Sequence, residues 1–314
     1  MRLLRVAQRA LAACAAMAAL AGCGTMPPTP QPAAARSDRG NSWMMPGAAN
    51  GSLLYVSDTA TNDVYVFSYP KGRLVGTLTG FDNPQGLCSD RNGDVFIANS
   101  AGEETLEYAH GGKAPIQTLY DPPRSPEGCA VDPVTGNLAV SEGGSETLAI
   151  YAKATGKPKH YKSPNITQFA FCGYDDLGNL FIDGSSYYYY YFEFDELSAG
   201  TKALKPVALG QTIMQAGGVQ WDGKYVAVGD AGANAIYRFS IRGHKGTLEG
   251  TTSLTGAKMV DQFWIAGSKV VAANVGGLNV MLWSYPAGGA PIEVVSNPRV
   301  QPHKPFGVTV SSPH

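Results

Sequence analysis

Charge is scarce in this chain. Of its 314 residues only 16% are Asp, Glu, Lys or Arg, against roughly 25% in an ordinary globular chain. Neither sign prevails: 24 basic and 25 acidic residues leave a net charge of -1 and a pI near 6.5. No basic field is therefore available to hold a phosphate backbone, and nucleic acid is not an expected partner. Cysteine is limited to five residues. A Gly-x-Ser-x-Gly elbow, a His-Glu-x-x-His pair, a phosphate loop and a Cys-x-x-Cys pair are all missing. Their absence removes the commonest serine-hydrolase, zinc-peptidase, nucleotide and thiol-redox chemistries. The 3.6-residue apolar stripe of a packed helix is also missing beyond the N-terminal segment, so no helix is expected there. Glycine (38) and tyrosine (16) are plentiful, which suits short strands joined by tight turns.

The N-terminus reads as a targeting segment. Arg2, Arg5 and Arg9 precede an uncharged run from Ala10 to Leu20, shorter than the ~20 residues that span a bilayer. It ends in Leu20-Ala21-Gly22-Cys23, which resembles the lipobox of bacterial lipoproteins. That resemblance implies a signal peptide over 1–22, cleavage before Cys23 and lipidation of its sulfur, with acyl chains that anchor a soluble domain. Gly24 after the cysteine implies an outer-membrane destination, facing the periplasm or the cell surface. Residues 23–50 carry Pro27, Pro28, Pro30, Pro32 and Pro46 without hydrophobic periodicity, as expected of a semi-extended tether. Trp43-Met44-Met45 is read as a partly ordered arm.

From residue 51 onward one phrase recurs. Pro84-Gln85-Gly86-Leu87-Cys88-Ser89 reads as a strand, Asp90-Arg91-Asn92-Gly93 as a tight turn, and Asp94 to Ala98 as a second strand closed by Asn99. Thr105–Ala109 and Pro115–Tyr120 complete a four-stranded unit. The equivalents of Asp90 fall at Asp132, Asp175, Asp222, Ala266 and Ser311, at spacings of 42, 43, 47, 44 and 45 residues. A strand-rich period in the forties signifies propeller blades. Pro305–Ser311 looks like a first strand with nothing after it, and Leu53–Ser57 like a second strand with nothing before it. Pairing the two gives an all-β, six-bladed β-propeller of four-stranded antiparallel blades over residues 51–314, closed between its termini.

The loop phrases Asp58-Thr59-Ala60-Thr61-Asn62 and Asp230-Ala231-Gly232-Ala233-Asn234 carry a resemblance to the NHL-repeat and YncE-like propellers, and more distantly to the SMP-30/gluconolactonase group. The resemblance covers about Asn50 to Ser311 and is specific for fold. It is weak for function, because such propellers serve both as enzymes and as binding platforms. In the SMP-30 group a divalent metal is held by Glu, Asn and Asp placed just before a glycine of each first strand. The corresponding positions here are Gln85, Glu127, Ala170, Gly217, Asp261 and Phe306. Three of these offer no side-chain oxygen, whereas Ca²⁺ takes six to eight, and Glu127 and Asp261 lie on opposite blades. No cofactor is expected, with Ca²⁺ as the alternative.

The polar residues that end the second strands (Asp58, Asn99, Glu142, Asp183, Asp230 and Asn274) are expected to fix their own loops. His110, His160 and His244 fall in or near turns on the rim, and His303 with Lys304 precedes the last strand. Strand parity lets only Cys88 and Cys129 face each other. The spacing between blades is expected to exceed the disulfide limit of about 7 Å, so buried thiols are the expectation. The run Tyr187 to Tyr191, with Phe192 and Phe194, is expected to pack between blades.

No catalytic residue emerges. The expected function is a non-catalytic, membrane-anchored platform for a protein, peptide or glycan, with contacts from Gln85, Arg124, Glu127, Asp261, His303 and Lys304. The alternative is a metal-dependent hydrolase or lactonase with a degenerate metal site.

Overall fold

Period-two alternation decides which way each strand faces. In Leu53–Asp58, Leu53 and Tyr55 pack with Leu87 and Ile97, while Leu54 and Val56 pack with Val271 and Leu282 on the other side. One strand thus serves two neighbouring blades. The computed structural model describes residues 41–186, 191–295 and 303–314. Within them lie six antiparallel sheets and no α-helix, only single 3₁₀ turns. No helix among the described residues is long and apolar enough to cross a membrane.

The innermost strands, in ring order, are Pro305–Ser311, Pro84–Ser89, Pro126–Val131, Gln168–Tyr174, Ala216–Trp221 and Val260–Ala266. Three further strands pair outward from each, with a fourth in the first blade. In the first blade the inner strand comes from the C-terminus: Leu53 pairs with Ser311, Tyr55 with Thr309 and Val56 with Val308. Six apolar clusters fill the six spaces between adjacent blades. Every lateral face is covered, and the ring has no seam without a core.

All six inner strands carry a bulge at the same level, where two residues oppose one on the second strand. A bulge bends its strand and re-aims the extra side chain. The first bulge residue is Phe306, Gln85, Glu127, Ala170, Gly217 or Asp261, so the six positions aligned by sequence are equivalent in the ring. The second is glycine in four blades: Gly307, Gly86, Gly128 and Gly218. A Cβ at Gly86 would meet the Glu127 carbonyl at 2.5 Å and Gly128 Cα at 3.0 Å. Inner strands approach this closely only because that side chain is missing.

Two expectations are corrected. Cys88 and Cys129 form a disulfide, with a Cα–Cα distance of 5.6 Å. The glycine-lined inner strands lie closer than the general spacing of blades, so the bridge is within reach. Among the described residues, only Cys172 stays a buried thiol. The arm is also ordered: Trp43–Met44 pairs with Gly76 and Thr77, adding a fifth strand to the first blade. Met44, Met45 and Ala48 pack on the core beneath. Tyr187 to Tyr190 lie outside the described residues; Phe194 is buried and Phe192 packs against the same cluster, as expected, but Tyr191 is exposed rather than packed between blades.

A closed cup on the propeller axis

The bulges place their side chains around a cavity of about 750 Å³ on the axis. Gln85, Glu127, Ala170, Asp261 and Phe306 line it, with Lys304 at an exposed position. Gly217 contributes only through its neighbours Gln215 and Ala216. Phe171 and Phe306 come from opposite blades, and their ring centroids meet 6.0 Å apart. Those rings block the axis and make the cavity a cup. Below them Gln262 spans two inner strands. Its carbonyl accepts from Leu87 N (3.0 Å) and Val308 N (3.0 Å), and its amide donates to the Leu87 carbonyl (2.8 Å). Phe171 and Gln262 occupy the two second-bulge positions that are not glycine. They are the plugs.

A second cavity of about 530 Å³ opens at the other end, with no lining residue in common. Trp221, Trp264 and Tyr174 form its apolar wall. These aromatics carry no motif, so sequence reasoning passed over them.

Electrostatics distinguish the upper cup. Burial pushes the Glu127 carboxyl up to about 7, with the Asp261 charge adding to it. Asp261 is raised to about 6 by burial, opposed by Lys304. Gly143 is what admits the Glu127 carboxylate, since a Cβ there would fall on its Oε2. Asp183 lies wholly buried, accepting from Phe171 N (2.8 Å) and Gly217 N (3.2 Å). Burial raises it well above the usual carboxylate range.

The other expected contacts lie elsewhere. Arg124 stands between blades, its Nε 3.5 Å from Asp121 and 3.8 Å from Glu142. His160 Nε2 is 2.7 Å from Asp121. Asp121, Glu142 and His160 could converge on a cation, but the Arg124 guanidinium already supplies positive charge there. His303 is exposed, and its backbone N–H donates to Asp58. Asp58, Asn99, Asp230 and Asn274 each accept from the backbone of the loop that enters the inner strand. They hold loops. Asn62 and Asn234, both at positive φ, accept from Asn83 N and Met259 N of the following blade. Inter-blade clamps of this kind were not foreseen.

No family model matches the sequence. A curated mouse protein, NHL-repeat-containing protein 4, is 31% identical over 117 residues, which are 36% of this chain and 82% of that protein. The chain belongs to the NHL-repeat family. A chain in the crystal structure of a nidogen/laminin complex superposes with a TM-score of 0.69. It shares 12% identity, with 83% of this chain and 98% of that one covered. At that identity the likeness is one of fold. In this NHL-repeat propeller the cup combines aromatic floor, amide edges and two carboxylates, a set suited to gripping a ligand.

Proposed function

We propose that this NHL-repeat propeller is a non-catalytic interaction platform, held at the cell envelope by a lipidated Cys23 and binding a protein, peptide or glycan through the upper cup. The observation that carries this reading is the cup itself: a dead-end cavity with an apolar floor and few convergent polar groups, the usual anatomy of a binding site. The lipobox-like Leu20-Ala21-Gly22-Cys23 and the proline-rich stretch behind it support an anchored domain on a tether. An outer-membrane position, facing the periplasm or the surface, goes with Gly24.

Cross-linking in envelope extracts, followed by capture of the propeller, should recover a discrete partner that a Phe306→Asp variant loses. Recovery of nothing, or of the same partner by both, would count against the platform. Glu127 and Asp261 on one cup keep the metal-dependent hydrolase as the second reading. It is tested by thermal shift in Ca²⁺, because ligand binding to the native state must raise the melting point.

A further inference from the structure

The upper cup gathers carboxyl groups that the described residues leave without a partner. Glu127 and Asp261 stand on opposite blades and line one cavity. Neither carboxylate has a hydrogen-bond or ion-pair partner among the described residues, and Asp261 is near enough to raise Glu127. Asp183, buried beneath them, adds a third carboxyl that interacts with Glu127. The cation that faces them from the lining, Lys304, is exposed. Its field lowers Asp261 but is not among the causes acting on Glu127.

The floor adds a second preference. Phe171 and Phe306 both line the cavity, and an aromatic ring attracts a cation through its quadrupole. Gln85 and Gln168 bring side-chain amides to the wall, the Gln168 oxygen accepting from Ser185 Oγ. A cavity of about 750 Å³ far exceeds one bare ion and leaves space for chain on either side of an inserted side chain.

We infer that the cup receives a lysine or arginine side chain from an extended segment of a protein partner, its cation between Glu127 and Asp261 and its stem on the phenylalanine floor. The inference rests on the platform reading and narrows it to a cationic protein segment.

The test titrates purified full-length protein with a blocked Gly-Ser-Arg-Ser-Gly peptide, followed by calorimetry. The same peptide with lysine, or with norleucine as an uncharged isostere, completes the set. The arginine and lysine peptides should saturate and the norleucine peptide should not. E127Q/D261N should weaken binding at least about tenfold. Gly143→Ala keeps every charge but pushes on the Glu127 carboxylate, and should weaken it as well. Binding should also weaken by about tenfold from pH 8 to pH 5.5, as Glu127, facing Asp183, Asp261 and Lys304, takes up its proton. Equal affinity for norleucine, no saturation by any peptide, or undiminished binding by E127Q/D261N overturns the proposal. Displacement of the peptide by Ca²⁺ that itself raises the melting point makes the site a metal site instead. A cross-linked partner captured equally by wild type and E127Q/D261N overturns the cation and leaves the platform standing. Loss of the partner with peptide binding intact does the reverse.

Discussion

Asp183 gains its role from a one-residue offset. Sequence placed it with Asp58 and Asn99 at the end of a second strand, but the register puts Gly184 at that position and Asp183 opposite the bulge, where Ser57 and Ser141 stand in their blades. The two serines donate onward to the Gln85 and Ala170 carbonyls of the next blade. Asp183 instead accepts from Gly217 N of the next blade. One position stitches neighbouring inner strands by either polarity. Glu127, at the first bulge position, has no such partner, and its titration reports the cup. Its carboxyl is raised from 4.5 to about 7, so the folded state favours the neutral acid. The stabilisation is complete below about pH 4.5 and is lost as pH rises to about 7. Glu127→Gln should therefore flatten the decline of unfolding free energy over this window, read by urea denaturation at stepped pH. An unchanged slope would place the carboxyl in water. Gln262→Leu keeps the volume but strips buried Leu87 and Val308 of their partners. At ~1–3 kcal/mol for each of the two N–H groups left unsatisfied, the urea midpoint should fall by the equivalent of about 2–6 kcal/mol.

Strands, turns and the shared first blade were legible because each repeats a signal of period two between glycine-containing turns. The six bulge positions were legible too, since Gln85-Gly86 and Glu127-Gly128 show the same local phrase. What was hidden depends on distances between elements. The Cys88–Cys129 bridge needed the 5.6 Å approach that the glycines permit. The Trp221 and Trp264 wall needed the ring to be drawn in space. The arm was hidden because two paired residues make no period, and the only hint was Gly76 inside a strand. Met44 packs where a side chain at Gly76 would lie, and the Trp43 carbonyl is 2.9 Å from that point. Gly76→Val should expel the arm and leave the blade otherwise paired. Amides of 43–50 should then exchange with deuterium far faster than in wild type, while those of the inner strands keep their protection. Retained protection at Met45, whose N–H donates to Val75 at 2.7 Å, would refute the docking.

At the scale of the whole molecule, stability turns on where a ring opens. Five blades are continuous in sequence, and breaking any of them costs local pairing. The first blade is made from both ends of the chain, so its seam between Leu53–Asp58 and Pro305–Ser311 can part without bending a single hairpin. The second blade reinforces that seam. His110 Nε2 donates to the Gly51 carbonyl at 3.1 Å, its Nδ1 lies 2.6 Å from Ser311 Oγ, and Gly111 N donates to Tyr55 at 2.9 Å. Ser52 and Ser312 face each other at 2.9 Å between hydroxyl oxygens, Ser52 half-buried and Ser312 exposed. A Ser52→Cys/Ser312→Cys variant should bridge on oxidation and make the closure covalent. In the loop-entropy account, closing loops of 100 residues or more contributes roughly 4–5 kcal/mol, less any strain. The oxidised variant should unfold at higher urea and more slowly than the same protein in reductant. If oxidation slows nothing, the ring opens between two other blades first, and the shared blade is not its weak point.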